Sequence, residues 1–351
     1  MKEPTKSSMG KGLYVVFFLL LFLGIGFQPL IAAETAEWRV DCVLLATSGE
    51  VKNLQWFCDL VKERSGGRLK LTVYPGLSLG VAVTETYHAL KNGTIEMAMA
   101  FPEFMVGHAP ALSLEGRDGI WPDRDRRWLI NKVLFPYRQK IFNEDWGIHS
   151  LGSFPLYAVN TGFYTKFPVK TWNDLKGKKV RASSEHYLLT FRSLGAAPLF
   201  MPLGEAYMAL KTGVIDGVET SPRSGVERSL FEVAKHYTIV WPSGTSGSWS
   251  AEFAVSKKHW DKLPADLQAI VQECANDAIV KGFQEAFHPD VEKPYLDKLK
   301  AAGVNITFLP LQEREKTAKA AREILRKYME GSKDARNQEI YKIIKPFLPP
   351  V

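Results

Sequence analysis

The sequence predicts an α/β protein of two similar lobes, each a mixed, mostly parallel sheet flanked by helices, on three observations. Strand-like and helix-like segments alternate along the chain, one helix-to-strand unit occurs twice, and 351 residues are enough for two domains. The repeated unit is Glu85-Thr-Tyr87-His-Ala89-Leu90-Lys91-Asn-Gly93-Thr-Ile95-Glu96, which returns as Glu205-Ala-Tyr207-Met-Ala209-Leu210-Lys211-Thr-Gly213-Val-Ile215-Asp216. Each copy puts apolar groups on one helical face: Val83, Tyr87 and Leu90, then Leu203, Tyr207 and Leu210. A glycine able to take the left-handed conformation ends each helix, and a buried-looking strand follows. Ala-Leu-Lys before Gly is also common in α/β proteins, so the repeat alone leaves chance similarity open.

Residues 1–33 differ in character from the rest. Lys2, Lys6 and Lys11 precede an apolar run over 13–27, then come Gln28-Pro29 and the small residues Ala32-Ala33. That order is a signal peptide's, and its apolar core of about 15 residues is shorter than the roughly 20 that span a bilayer. Export and cleavage are therefore expected, with an uncleaved anchor as the competing reading.

The elements that follow are strand 38–46, helix 51–65, strand 68–74, helix 81–91 and strand 95–101. Such alternation argues for parallel strands, whose ligands sit beyond their carboxyl ends. Those ends are Thr47-Ser48-Gly49, Pro75-Gly76 and Phe101-Pro102. Ser48 reads equally as a helix cap or as part of a turn that offers donors to an anion. Residues 116–145, rich in Arg, Asp and Trp, read as a surface loop and an amphipathic helix over about 126–143. The chain then changes lobes through a strand at 147–151 that continues over 156–159.

The second lobe is expected to hold strand 179–182, helices 185–194 and 205–211, strand 214–219, a helix near 226–233 and strand 237–241. The small-residue stretch 243–248 is a hinge or a crossing back to the first lobe, leading into strand 249–255. A helical pattern runs over 264–302, long enough to lie across both lobes, with a break expected at His288-Pro289 because proline lacks the N–H. Strand 305–309 and helices 312–329 and 337–345 complete the chain. The expected division is 1–33 as signal peptide, 34–152 plus about 248–288 as the first lobe, and 153–247 plus about 289–351 as the second.

A composition of 46% hydrophobic and 24% charged residues excludes a disordered chain. The net charge of +7 is scattered among acids, as in Glu313-Arg314-Glu315-Lys316, so nucleic acid is not an expected partner. The seven histidines form no HExxH and no pair at metal spacing, and no nucleophile elbow or Walker loop is present. Neither an enzyme nor a metal or cofactor is expected. Asp123 and Asp125, set among arginines, read as a surface salt-bridge cluster. Cys42 and Cys58 sit close enough in one βα unit to pair after export; buried free thiols are the other reading, and Cys274 is left over.

The sharpest local feature is Thr171-Trp172-Asn-Asp174-Leu175-Lys176-Gly177-Lys-Lys-Val180-Arg181, a capped turn that stops at a glycine and feeds a strand ending on arginine. A guanidinium is a planar fork that holds a carboxylate with two parallel bonds. From the residues alone, Arg181 is either such a clamp or a solvated or structurally paired arginine.

Together with Ser65-Gly-Gly-Arg68-Leu-Lys-Leu-Thr-Val73-Tyr74-Pro75 and Glu205-Ala-Tyr207 through Asp216-Gly217-Val-Glu219, these stretches resemble the extracytoplasmic solute receptors of TRAP (tripartite ATP-independent periplasmic) transporters. The resemblance covers essentially the whole chain after residue 33. It implies a periplasmic-binding-protein fold that closes on a small organic acid and delivers it to an ion-gradient-driven membrane permease. The receptor would be monomeric, or dimeric, in the periplasm. Arg181 falls on the family's carboxylate-binding arginine, and Thr220 takes a pocket position that is often an amide. Many members carry a second basic residue on the preceding strand, where this chain has only Tyr157 and Asn160. The ligand would then make one salt bridge or be less acidic than a dicarboxylate, unless Arg223 supplies the second cation in place of being a loop arginine. Glu219 and Thr220 would shape the second-lobe wall, and Ser48, Glu50 and Phe101 the first. The aromatics Phe101, Trp241 and Trp249 would line the cleft or fill the core. A sensory receptor that presents its closed form to a membrane kinase is the alternative outside transport.

Overall fold

The parallel alternation sets up two sheets. The computed structural model describes Met1 and residues 35–349 apart from 106–111, 113–117, 122, 158–159, 242–249, 287 and 289. The expected signal peptide, the stretch 243–248 and Trp249 lie outside the described residues. The described strands are β1 (Ala36–Cys42), β2 (Leu69–Pro75), β3 (Met97–Ala100), β4 (Ile148–Pro155), β5 (Thr161–Thr165), β6 (Lys179–Ala182), β7 (Ala197–Phe200), β8 (Gly217–Thr220), β9 (His236–Trp241), β10 (Ser250–Ser256) and β11 (Asn305–Phe308). They form sheets of order β2-β1-β3-β10-β4 and β11-β9-β5-β8-β6-β7.

In the first sheet β1 is parallel to β2 and β3, while β10 runs antiparallel between β3 and β4. In the second, β6 is parallel to β7 and β8, β9 to β11, and β5 is antiparallel between β8 and β9. Each sheet thus holds one reversed strand supplied across a connection from the other. β3 and β8 are buried along their whole length, as strands covered on both faces must be.

One face of the first sheet carries Trp38, Val40 and Phe253 against Leu54, Phe57 and Val61 of the helix Gly49–Arg64 and Val271 and Ala275 of the helix Ala265–Ala286. Its other face packs Ala98 and Ala254 against Tyr87 and Leu90 of the helix Thr86–Asn92 and Leu134 and Phe142 of the helix Arg124–Trp146. Ala321, Leu325 and Met329 of the helix Leu311–Glu330, and Ile340 and Ile344 of the helix Ala335–Ile344, belong to this same core. The helix Leu311–Glu330 also reaches the second half, where Thr317 accepts from Trp172 Nε1 at 2.6 Å and Glu313 from Trp172 N at 2.9 Å. The second sheet is covered by Ala206, Leu210 and Leu299 on one face and by Trp172, Tyr187 and Phe191 on the other. Each fully buried Leu or Phe contributes roughly 2 kcal/mol of apolar burial. Inside the first sheet Arg138 and Glu252, both without accessible side-chain surface, pair with one another and with Ser150 and Ser153, pinning β4 to β10.

The doubled unit is present. The helices Thr86–Asn92 and Leu203–Thr212 end on Gly93 at φ 75° and Gly213 at φ 81°, and β3 and β8 follow. Three expectations differ in detail. The strand expected to run from 147 to 159 leaves the first sheet at Pro155, and the chain re-enters the second as β5, which was not expected; nor was β7. The helix expected near 226–233 is two pieces, Pro222–Glu227 and Leu230–Val233, separated at Ser229 with φ 55°. The helical stretch 264–302 breaks as anticipated, into Ala265–Ala286 beneath the first sheet and Lys293–Ala301 beneath the second. Cys42, Cys58 and Cys274 are free and buried, the second of the two readings, and burial pushes the Cys42 thiol up to about 12. Among the described residues no helix is long and apolar enough to cross a membrane.

Two measurements test this account. A Cβ added at Gly213 meets nothing within 4 Å, so Gly213→Ala should cost about 1 kcal/mol from left-handed backbone strain alone, read by urea unfolding; a neutral substitution would contradict that origin. The second concerns Asp41, whose carboxyl burial raises to about 6, and His149, whose ring, stacked 4.0 Å from Trp260, burial lowers to about 4. Between those values folded Asp41 keeps a proton that its unfolded form has released, so its contribution to stability falls as pH rises. His149 has the opposite sign, because only its unfolded form is protonated there. In Asp41→Asn the first effect is gone, so stability relative to wild type should rise with pH by about 1.4 kcal/mol per unit across that window.

Candidate functional site

The carboxyl ends of β6, β7 and β8 bring Arg181, Phe200 and Glu219-Thr220 to one edge of the second sheet. Arg181 is buried between its neighbours in main-chain cradles: Nε donates to the carbonyl of Met201 at 2.9 Å and Nη1 to that of Glu219 at 2.8 Å. The Glu219 carboxylate lies 3.6 Å from Nη1 but takes its hydrogen bonds from Ser183, at 3.2 Å from the backbone N and 2.5 Å from Oγ. Burial lowers the Arg181 guanidinium and raises the Glu219 carboxyl, and each charge opposes the shift of the other. Nη2 makes no hydrogen bond among the described residues and is not among the enclosed polar atoms.

Next to this edge lies a cavity of about 240 Å³. Ser184, Glu185, Leu188 and Phe200 line it from the second sheet's side, and Thr84, Glu103 and Phe104 from the first's. Phe104 meets Phe200 edge-on with ring centroids 6.4 Å apart. Phe101 stands behind, edge-on to Phe104 at 6.4 Å, so the aromatic that reaches the cavity is Phe104. Ser184 caps the helix Glu185–Ser193, and Tyr187 on that helix donates to the carboxylate of Asp118.

Other expected site residues gather elsewhere. Glu50, in the first turn of the helix Gly49–Arg64, pairs with Arg223 of the helix Pro222–Glu227; both are buried. Glu50 also accepts from the backbone N of Tyr157 at 2.8 Å, and Arg223 Nε lies 3.9 Å from Glu227. Burial alone would lower Arg223, but Glu50 outweighs it and the guanidinium is raised, hence firmly charged. The Tyr157 hydroxyl donates to Glu285 and accepts from Asn53 at 3.4 Å, beside a second cavity of about 290 Å³ that includes Lys52 and Lys281. Asn160, at φ 57°, directs its amide to Glu292 at 3.1 Å. The Tyr237 hydroxyl lies 2.6 Å from the carbonyl of Asn160 and 3.0 Å from that of Thr220. Ser48 caps its helix, accepting from Val51 N at 3.3 Å. Trp241 is buried against Tyr187 and Phe191 in the second core. Sequence reading stopped at Phe101-Pro102 and at Arg181; carried two or three residues past those strand ends, the same rule reaches Glu103, Phe104, Ser184 and Glu185.

Two mixed sheets, each with one reversed strand and with a cavity lined from both sides, are the architecture of a two-lobed solute-binding protein. The chain belongs to the family described as bacterial extracellular solute-binding protein, family 7, whose match spans residues 43–332, and this is the TRAP receptor family that the sequence resembles. A solute-binding protein of Sulfitobacter is 29% identical over 269 residues, covering 76% of this chain and 78% of its own. The 2,3-diketo-L-gulonate-binding periplasmic protein YiaO of Escherichia coli is 27% identical over 254 residues, covering 71% and 74%. A TRAP periplasmic solute binding protein of a Bradyrhizobium species, solved with galacturonate, superposes with a TM-score of 0.74 at 27% identity, over 89% of this chain and 100% of that one.

The Glu50–Arg223 pair gives a stability test. Glu50→Met or Arg223→Met strands one buried charge and should cost about 3–5 kcal/mol in denaturant unfolding, whereas the double substitution should cost clearly less than the sum. Additive losses would mean that the two side chains do not act on each other.

Proposed function

We propose that this protein is a periplasmic receptor that captures a small organic acid by hinge closure and hands it to a TRAP-type permease, without catalysing a reaction on it. The observation that carries the reading is Arg181, fixed by two main-chain carbonyls at the end of the strand that leads to Ser184 and Glu185, which line a cavity with Glu103 and Phe104 from the first sheet's side. Relatives named for diketogulonate binding, and solved with galacturonate, support a carboxylate ligand. Thr220 and Glu219 shape the wall beside Arg181. Phe101 backs the opposite wall through Phe104. Glu50, Arg223, Tyr157 and Asn160 act at the junction between lobes, and Ser48 and Trp241 support the two walls from behind. The lobes are drawn as 34–152 plus about 248–288 and 153–247 plus about 289–351, with the helix Leu311–Glu330 touching both. A ligand touching both sides favours the closed form by its differential affinity for it, and closure creates the surface that the permease reads. Export follows from residues 1–33, whose removal gives the mature receptor.

The test is a thermal-shift screen of the mature protein against mono- and dicarboxylic, keto, sugar and aromatic acids, followed by titration of the hits. Arg181→Ala should weaken a carboxylate hit by about a hundredfold, near 3 kcal/mol, with Arg181→Lys intermediate. Stabilisation by uncharged solutes alone, or a carboxylate affinity indifferent to Arg181→Ala, would rule the assignment out.

A further inference from the structure

The second sheet gathers at one end charges that are scattered along the chain. Thr165, the last residue of β5, lies opposite His236 at the start of β9, so the next pair outward is Lys166 beside Lys235. Thr165 also lies opposite Gly217, whose other neighbour is Val180, and this brings Lys178 and Lys179 to the same end. Lys178 Nζ stands over the Phe167 ring, 5.2 Å from its centroid, and so closes the gap between the two turns. Lys170 and Lys176 lie close to either side of the short 3-10 turn Trp172–Leu175 that joins them. All six lysines are exposed, and none of them is in an ion pair among the described residues. The carboxylates at this end are engaged otherwise. Asp174 accepts from the backbone N of Lys170 and of Thr171, both at 2.8 Å, and Asp216 from the backbone N of Lys179 at 2.8 Å. Glu232 accepts from the Tyr207 hydroxyl at 2.9 Å. Among the six ammonium groups only that of Lys235 finds a protein acceptor, the carbonyl of Ala302 at 3.2 Å. Exposed Val214 and half-buried Phe167 add apolar atoms to the same surface.

We propose that this lysine-rich end of the second sheet is a membrane-facing surface, which holds the protein on bilayers that carry anionic phospholipid headgroups. Like charges placed side by side at a sheet end repel one another, and an anionic partner removes that repulsion. A protein partner would need an apolar centre, and lysine is depleted from such interfaces. A bilayer needs no groove, and each lysine near an anionic surface raises the partition constant about fivefold. The surface lies at the opposite end of β6 and β8 from Ser184 and Thr220, so membrane contact leaves the cavity facing away from the bilayer and open to solute. The inference goes beyond the receptor reading and does not depend on which ligand is bound.

Co-sedimentation of the mature protein, without residues 1–33, tests this with phosphatidylcholine vesicles and with vesicles that are one-third phosphatidylglycerol. At low salt the protein should partition onto the anionic vesicles at least about a hundredfold better than onto the neutral ones. That preference should fall about tenfold or more as ionic strength rises from about 0.02 M to about 0.2 M. Replacing four of the lysines together, Lys166→Gln, Lys178→Gln, Lys179→Gln and Lys235→Gln, should remove about a hundredfold of the partition. A second variant with the same change in net charge at exposed positions elsewhere, Lys262→Gln, Lys319→Gln, Lys333→Gln and Lys342→Gln, should lose less than about threefold. Equal binding to neutral vesicles, binding indifferent to salt, or equal losses in the two variants overturns the proposal. So does an absence of vesicle binding; weaker capture of the first variant by the detergent-solubilised permease would then assign the lysines to a protein partner. Carboxylate affinity, titrated on the same variants, should be unchanged, so the membrane surface and the receptor reading fail separately.

Discussion

A buried carboxylate and a buried guanidinium, one from the helical layer of each sheet, meet where the two halves join, and neither is tolerable alone. Glu50 lies without accessible surface and Arg223 keeps almost none. Removing both from water costs several kcal/mol per ion, which only close pairing offsets. The pair therefore constrains how the helix Gly49–Arg64 and the helix Pro222–Glu227 approach each other. The same approach of the halves brings Phe104 edge-on to Phe200. The same carboxylate accepts from the backbone of Tyr157, just past the point where the chain leaves the first sheet, so one ion pair also fixes the start of the crossing.

Arg181 is satisfied differently from Arg223. Arg223 faces a carboxylate across the junction and is neutralised there. Arg181 donates to the main-chain carbonyls of Met201 and Glu219, with the Glu219 carboxylate 3.6 Å away and itself hydrogen-bonded by Ser183. Dipoles thus orient the Arg181 fork at a strand end within one half, whereas an ion pair holds Arg223 between the two.

Much of this was legible in the sequence, and what was not has physical causes. Alternation and the doubled unit gave both sheets because a glycine that must adopt positive φ, as Gly93 and Gly213 do, is a strong local signal. β5 and β7 were missed because each is only four or five residues long and acquires its strand character from its neighbours. The packing of the tail helices on the first sheet was hidden because an amphipathic face declares that it is buried, not against what. Arg181 could be found by motif. Glu50 was read as a wall residue and Arg223 as a second cation for the ligand or a loop arginine, because a sequence shows charges near strand ends but not that two of them, far apart in the chain, cancel.

The repeat itself carries the last step of the argument. Both copies run helix, left-handed glycine, buried strand, and both strands end at the edge that faces the other half. After β3 the chain turns through Pro102–Met105 and presents Glu103 and Phe104 to the cavity. After β8 it enters the helix Pro222–Glu227, capped by Ser221, and presents Arg223 to Glu50. One grammar thus ends in two different polar groups. The acidic ending lines the cavity beside Phe200 and Ser184, while the basic ending is consumed in holding the halves together.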